Sequence, residues 1–350
     1  MTIEIRLAQN DDAQEWDRLI SESPHGTLFH HWNWLKITEK YTETKLYPVM
    51  GIKDGDLFGI FPLFFQKGPV RMVFSPPPHA ALFYLGPVMT GYGTLSQEKW
   101  EQRYFYFQNS VENFIIHELK ADYVSISLAP GIQDSRPFGW SGYEIEPNFD
   151  YVVNLTKGID VLFKSLDKQD RAGLRKAKEK GMTFEIGTKK ECEQILNLMD
   201  IRYSQQGKVM TTSRGYFSDI YDAFEKNIKI VLVYFEDEIV TGSIDLQYGE
   251  TLYGWVGNPK PKKLISPSPN NFLFWESIRY ASENNLNFYT TLGAAGDKRL
   301  HKYYAARFNP ELLIRYVATR KSLIAGISEK GYTNILKPLR GSVKHFISGE

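Results

Sequence analysis

An internal repeat constrains this chain more than any other feature. In the first half, YPVMGIKDGDLFGIFPLFF alternates as a strand, a tight Asp-Gly turn and a returning strand, which is a β-hairpin signature. IVLVYFEDEIVTGSIDLQY repeats the pattern in the second half, with an acidic turn and glycine early in the returning strand. Gly59 and Gly242 stand 183 positions apart, and so do Trp34 and Phe217 on the aromatic helices FHHWNWLKITEKY and RGYFSDIYDAFEKN that precede the hairpins. One offset held across helix and hairpin indicates duplication. The chain's 350 residues also exceed one ordinary hydrophobic core, so two lobes are expected.

The remaining elements repeat more loosely. Helices are expected at 11–21 and 189–205, strands at 81–85 and 251–256, helices at 97–119 and 271–284, and strands at 123–128 and 287–292. Each half then reads strand, helix, helix, hairpin, strand, helix, strand. That order predicts a mixed α/β layer with helices on both faces of a sheet. The boundary is expected at 147–150, where the polar SGYEIEPNFD meets the strand YVVNL, giving units at 1–148 and 149–320. Residues 321–350 carry Lys330, Lys337, Arg340 and Lys344 among apolar side chains and read as a basic amphipathic tail. Such a tail packs on the second unit or touches an anionic membrane surface.

Charge and composition exclude several classes. A formal net charge of +1 provides no global field for sequence-independent binding to DNA, so any polyanion has to be met by a local patch. The apolar run 58–65 is broken by Gly59 and Pro62 and falls far short of the roughly 20 residues that span a bilayer. The start MTIEIRLAQNDD is charged and strand-like, so no signal peptide is expected. Lone Cys192 excludes an intramolecular disulfide and a cysteine zinc cluster, and it fits a reducing cytoplasm. His30 and His31 are adjacent and diverge on a helix. HExxH, P-loop, dinucleotide fingerprint and serine elbow are all lacking, so no metal or nucleotide cofactor is expected.

The twice-written element order resembles the GNAT acyltransferase unit, and two units in tandem resemble the Fem peptidyltransferases and their FemAB-like relatives. The resemblance covers nearly the whole chain. It is carried by SPHGTLFHHWNWLKITEKY, SRGYF, DLQYGETLYGWVGN, SPNNFLFWESIRYASENNLNFYTTLGA and YYAARFNPELL. It implies an α/β fold of two GNAT-like domains and transfer of an aminoacyl group from aminoacyl-tRNA to an amine of an envelope-related or peptide-like acceptor. The loop PKPKKLISPSPNN argues in the same direction. An acetyl-CoA site needs glycine there so that backbone N–H groups reach the pyrophosphate, whereas this loop has none and its prolines remove donors. A CoA thioester is therefore disfavoured as donor. It remains an alternative, as does a catalytically idle module of the same fold.

A tRNA donor requires a basic surface, and LFKSLDKQDRAGLRKAKEKG supplies Lys164, Lys168, Arg171, Arg175 and Lys178 at helical spacings along one stripe. For the acceptor, the resemblance points to Lys36, Tyr216 and Trp255. Arg214 stands close to an arginine place occupied here by Thr212. Three departures alter the family pattern: the lysine place is Ala305, the arginine place is Thr212, and the closing Asp-Leu-Gly reads Thr291, Leu292, Gly293. Lys302 and Arg307 flank the vacated lysine place. For proton transfer, Asp245 shares a strand face with Ser243 and Gln247 and is the candidate base, while Tyr304 is the candidate to protonate the leaving hydroxyl.

Overall fold

The computed structural model describes residues 3–259, 261, 265–292, 308–322 and 325. Its first half runs β1 (Ile3–Leu7), α1 (Ala13–Glu22), α2 (Trp32–Tyr41), the hairpin β2 (Lys45–Lys53) and β3 (Asp56–Gln66), β4 (Met72–Ser75), a short β5 (Val88–Met89), α3 (Gln97–Asn113) and β6 (Tyr123–Ser127). A connection follows: α4 (Arg136–Trp140), β7 (Glu144–Asn154), α5 (Ile159–Ser165) and α6 (Lys168–Glu179). The second half repeats the first as β8 (Thr183–Gly187), α7 (Lys189–Gln205), α8 (Arg214–Phe224), β9 (Ile228–Phe235), β10 (Glu238–Tyr248), β11 (Thr251–Gly257), α9 (Pro269–Glu283) and β12 (Phe288–Thr291). β13 (Glu311–Lys321) ends the described order. Of the expected tail, only Lys321, Ser322 and Ala325 fall among the described residues.

The duplicated order is therefore present, with one correction. The strand after the first hairpin is β4, not 81–85. Ala81 takes φ +50°, outside the extended range, and around it only Leu85 makes a strand-like bridge, to Leu128. β7 runs unbroken through 147–150. The glycines that mark the repeat serve different neighbours. A Cβ on Gly59 would stand 3.0 Å from Phe107 of α3, whereas one on Gly242 would stand 2.6 Å from the Val231 carbonyl oxygen and 3.1 Å from Ile195 of α7. Side chains alternate along a strand, so a one-residue difference in register exchanges the face a position serves.

The strands form one sheet in the order β1-β2-β3-β4-β6-β13-β7-β12-β11-β10-β9-β8, with β5 paired to β3. The sequence is nearly palindromic about its centre, where the halves exchange strands. β13, from the end of the chain, pairs antiparallel with β6 over Val317–Lys321. β7, which follows the first half, pairs antiparallel with β12 over Tyr151–Asn154. β7 and β13 also pair with each other from Glu144 to Val152. Each half of the sheet is thus completed by a strand from the other.

A buried ion pair fixes this crossing. Arg315 on β13 donates from Nε to Asp150 Oδ2 of β7 at 3.0 Å and from Nη1 to Ser127 Oγ of β6 at 2.7 Å. Asp150 and Arg315 are 1% and 4% exposed, so removing either leaves an uncompensated charge in the interior. A second seam is aromatic. α2 packs against α8, and Trp34 meets Phe224 and Trp255 at centroid distances of 5.1 and 5.3 Å. The Trp34 indole donates to the Tyr216 hydroxyl at 2.9 Å.

Arg315→Leu is expected to lower the unfolding free energy by about 3–5 kcal/mol, and adding Asp150→Leu to restore part of that loss. Denaturant titration of the wild type and the two variants checks this. Additive losses would show that the pair does not act as a unit.

Candidate active site

β11 and β12 run parallel and are paired only from Thr251 with Phe288 to Gly254 with Thr291. Beyond that point β11 stays with β10 to Gly257 while β12 ends, and the strands part. A cavity of about 540 Å³ opens at the divergence. Its strand walls are Gly254, Trp255, Gly257, Thr291 and Leu292, and Met199 and Tyr203 of α7 and Thr211 and Thr212 ahead of α8 close the second-half side. Glycine is required at 257, where φ is +142° and a Cβ would lie 2.5 Å from Ser243 Cα.

The third wall comes from the first half, as a strap carrying His79, Ala81 and Phe83. Two hydrogen bonds from the second half hold its backbone. The Thr212 hydroxyl donates to the His79 carbonyl at 2.8 Å, and the Trp255 indole N–H donates to the Ala81 carbonyl at 2.7 Å. His79 and Ala81 both sit at positive φ, +63° and +50°.

The equivalent gap in the first half is plugged. β4 and β6 also run parallel, from Met72 with Tyr123 to Ser75 with Ile126, but the chain re-enters directly beyond them. Leu85 N–H donates to the Ser127 carbonyl at 2.8 Å, and Gly86 N–H donates to Ser75 Oγ at 3.0 Å. Ser75 Oγ in turn donates to the Pro62 carbonyl at 2.7 Å. Tyr84 and Leu85 fill the space and are almost wholly buried. A further cavity of about 380 Å³ between the halves, lined by Thr27, Tyr84 and Tyr253 among others, shares Leu292 with the first.

The residues singled out from sequence scatter around this cavity. Trp255 lines it. Tyr216 has no exposed surface and faces Trp34, and burial pushes its hydroxyl pKa up, so it supports the wall from behind through Phe217. Arg214 is bound to Asp200 and, at 2.8 Å, to Asn197 Oδ1, tying the start of α8 to α7. The Asp200 hydrogen bond raises its pKa. Lys36 pairs with Glu39 and lines a separate pocket of about 330 Å³ with Asn10 and Tyr47. Lys302 and Tyr304 lie outside the described residues, as do Ala305, Arg307 and Gly293.

Asp245 is the main departure from expectation. Ile244 and Leu246 face the core under α7 and α8, so alternation turns Asp245 to the α9 side of the sheet, with no exposed surface and no place in the cavity. Burial pushes its carboxyl up to about 7, and the neighbouring Ser243 hydroxyl offsets this only in part. Neither carboxyl oxygen has a hydrogen-bond partner among the described residues.

The basic stripe is also divided. The expected helix is two, α5 and α6, broken at Leu166 and Asp167, because Asp167 caps α6 by accepting from Asp170 N–H at 2.7 Å. Arg171 donates to the Lys164 carbonyl at 2.8 Å and to the Leu166 carbonyl. Arg175 lies 5.6 Å above the Phe163 ring, and Lys178 pairs with buried Glu276 of α9 at 3.0 Å. Lys164 and Lys168 remain exposed, with side chains unpaired among the described residues.

His79, Tyr203 and Thr211 were not singled out from sequence. The only local signal was the run SPPPHAA, in which histidine, a residue enriched in left-handed conformations, follows three prolines.

A parallel strand pair that parts to form a cavity, repeated with one copy plugged, defines a tandem GNAT-like α/β protein. Residues 164–303 match the family model described as an acetyltransferase (GNAT) domain, which covers the half with the open gap. The crystal structure of FemX superposes with a TM-score of 0.67 at 15% identity over 95% of this chain and 99% of that one. A tandem GNAT protein from the clavulanic acid biosynthesis pathway superposes with a TM-score of 0.55 at 11% identity over 91% and 98%. In sequence, the lipid II:glycine glycyltransferase of Staphylococcus haemolyticus (strain JCSC1435) is 23% identical over 257 residues, 69% of this chain. The match spans 58% of that protein's length. The chain has the fold of tandem GNAT units, as FemX does.

Asp245 gives a test of the burial argument. An acid whose pKa is higher folded than unfolded binds its proton more tightly in the native state, so stability falls as pH rises from about 4, the unfolded value, towards the folded value of about 7. Asp245→Asn, neutral throughout, is expected to gain on the wild type across that window by at most about 1.4 kcal/mol per pH unit. Denaturation at several pH values reads this, and a flat difference would place the carboxylate in a solvated setting.

Proposed function

We propose that this chain is an N-acyltransferase of Fem type, moving an aminoacyl group from aminoacyl-tRNA to the amine of an envelope-related or peptide-like acceptor. The observation that carries the reading is the open gap between β11 and β12, where the corresponding first-half gap is filled by its own chain. One cavity bounded by both halves suits a two-substrate transfer. The donor and acceptor are held close, which is where most of the rate of such a reaction arises. The FemX fold and the similarity to a glycyltransferase support it.

The donor is inferred from α9. Its start is closed by Ser268, whose hydroxyl accepts from Asn271 N–H at 3.4 Å, and by Pro269, which offers no N–H. Those are the groups a pyrophosphate would need. Of the stripe's five basic side chains, Lys164 and Lys168 are exposed and unpaired among the described residues, free to meet tRNA phosphates. No helix among the described residues is long and apolar enough to cross a membrane, so a lipid-linked acceptor would be reached from the surface. The match to an acetyltransferase model favours a CoA thioester as a second reading.

The two readings separate in one assay, in which the protein is incubated with amine acceptors and either labelled aminoacyl-tRNAs or CoA thioesters. Amide formed from tRNA alone supports the first. Product from CoA alone transfers the proposal to the second, and product from neither removes both. In the first case, Lys164→Ala with Lys168→Ala is expected to weaken tRNA binding and reduce the slope of log affinity against log salt by roughly one to two. Thr211→Trp, which fills the cavity, is expected to cut kcat/KM by at least about tenfold, since a reacting group displaced by about 1 Å can cost 10²-fold.

A further inference from the structure

Amide formation from an ester leaves one proton to be moved. As the amine nitrogen attacks the acyl carbon, the tetrahedral adduct carries a positive nitrogen that must lose H⁺ before the C–O bond to the ribose breaks. Asp245, the carboxylate expected to accept it, is shut beneath α9. Among the described residues that line the cavity, only His79 and Tyr203 carry titratable side chains. Of the two side chains, imidazole is the one that most often serves as a general base.

The placement of His79 is itself selected. Its side chain is exposed at the cavity, and its imidazole has no hydrogen-bond partner among the described residues. The backbone beneath it is left-handed at His79 and again at Ala81. Such strain persists only where surrounding structure imposes it, and it concentrates at functional sites. Here Thr212 and Trp255 impose it, by clamping the carbonyls of His79 and Ala81. The clamp crosses from one half to the other, so His79 is held at the edge of a cavity whose remaining walls belong largely to the second half.

We propose that His79 is the general base of the transfer, a role that rests on the acyltransferase reading above. The amine lone pair forms the C–N bond, and His79 takes the proton from the adduct nitrogen. The C–O bond to the ribose then breaks with its electrons on oxygen, and the imidazolium returns the proton to that alkoxide. Ester and amine become amide and alcohol, with no net change at His79.

His79→Asn is the decisive variant, because asparagine accepts left-handed backbone but cannot bind a proton near neutrality. It is expected to lower kcat by about 10²–10⁴-fold, with KM within about threefold, and to abolish the rise of kcat/KM through the imidazole range. Added imidazole should restore part of the rate in His79→Ala. A His79→Asn enzyme within about twofold of wild-type kcat and with its pH profile unchanged overturns the assignment. If the wild type transfers from no donor, the acyltransferase reading itself fails. His79 is then judged by carbethoxylation with diethyl pyrocarbonate in the presence of a 3′-aminoacylamido adenosine. Loss of labelling at His79 retains its place at a ligand site, and undiminished labelling overturns it.

Discussion

The exchange of β7 and β13 is the constraint on which the rest of the molecule depends. A sheet edge left unpaired exposes backbone N–H and C=O groups, and here each half satisfies its inner edge with a strand from the other. The halves therefore cannot separate without breaking ladder hydrogen bonds on both sides of the centre. Arg315, bonded to Asp150 and Ser127, adds a penalty for any slip, because misregister would strand a buried charge. A cavity built from both halves has stable dimensions only because of this lock.

Duplication alone would give two equivalent gaps, and the protein keeps one. In the first half, Ser75 and Ser127 spend their polar groups on the returning chain at Leu85 and Gly86, and Tyr84 takes the volume. The chain that makes this plug has first passed over the second-half cavity as the strap at 79–83. Closing one gap and roofing the other are thus two consequences of a single excursion between β4 and β5.

Much of the architecture was legible because it is local. Hairpin turns, aromatic helices and their offset of 183 are written in adjacent residues, and the family resemblance reads the same pattern at larger scale. The two copies differ in detail, and one expected strand is absent. The marker glycines 59 and 242 match in sequence but face α3 and α7, and the segment at 81–85 is apolar enough for a strand but is bent by positive φ at Ala81. The site was less legible. Trp255 reached the cavity, while Tyr216, Arg214 and Lys36 proved to be occupied elsewhere by Trp34, Asp200 and Glu39. Side-chain chemistry says what a residue can bind, and only the neighbours decide what it does bind.

By itself, the sequence determined the duplicated α/β order, the aromatic helix ahead of each hairpin, and a loop at 259–271 without glycine, because each depends on residue type and on spacing within one or two elements. Only the tertiary structure decided which strands complete which half, which gap stays open, that Asp245 faces the core under α9, and that His79 stands at the edge of the cavity. Those outcomes depend on contacts between residues more than a hundred positions apart, and the energies that select them come from burial and pairing that no local pattern encodes.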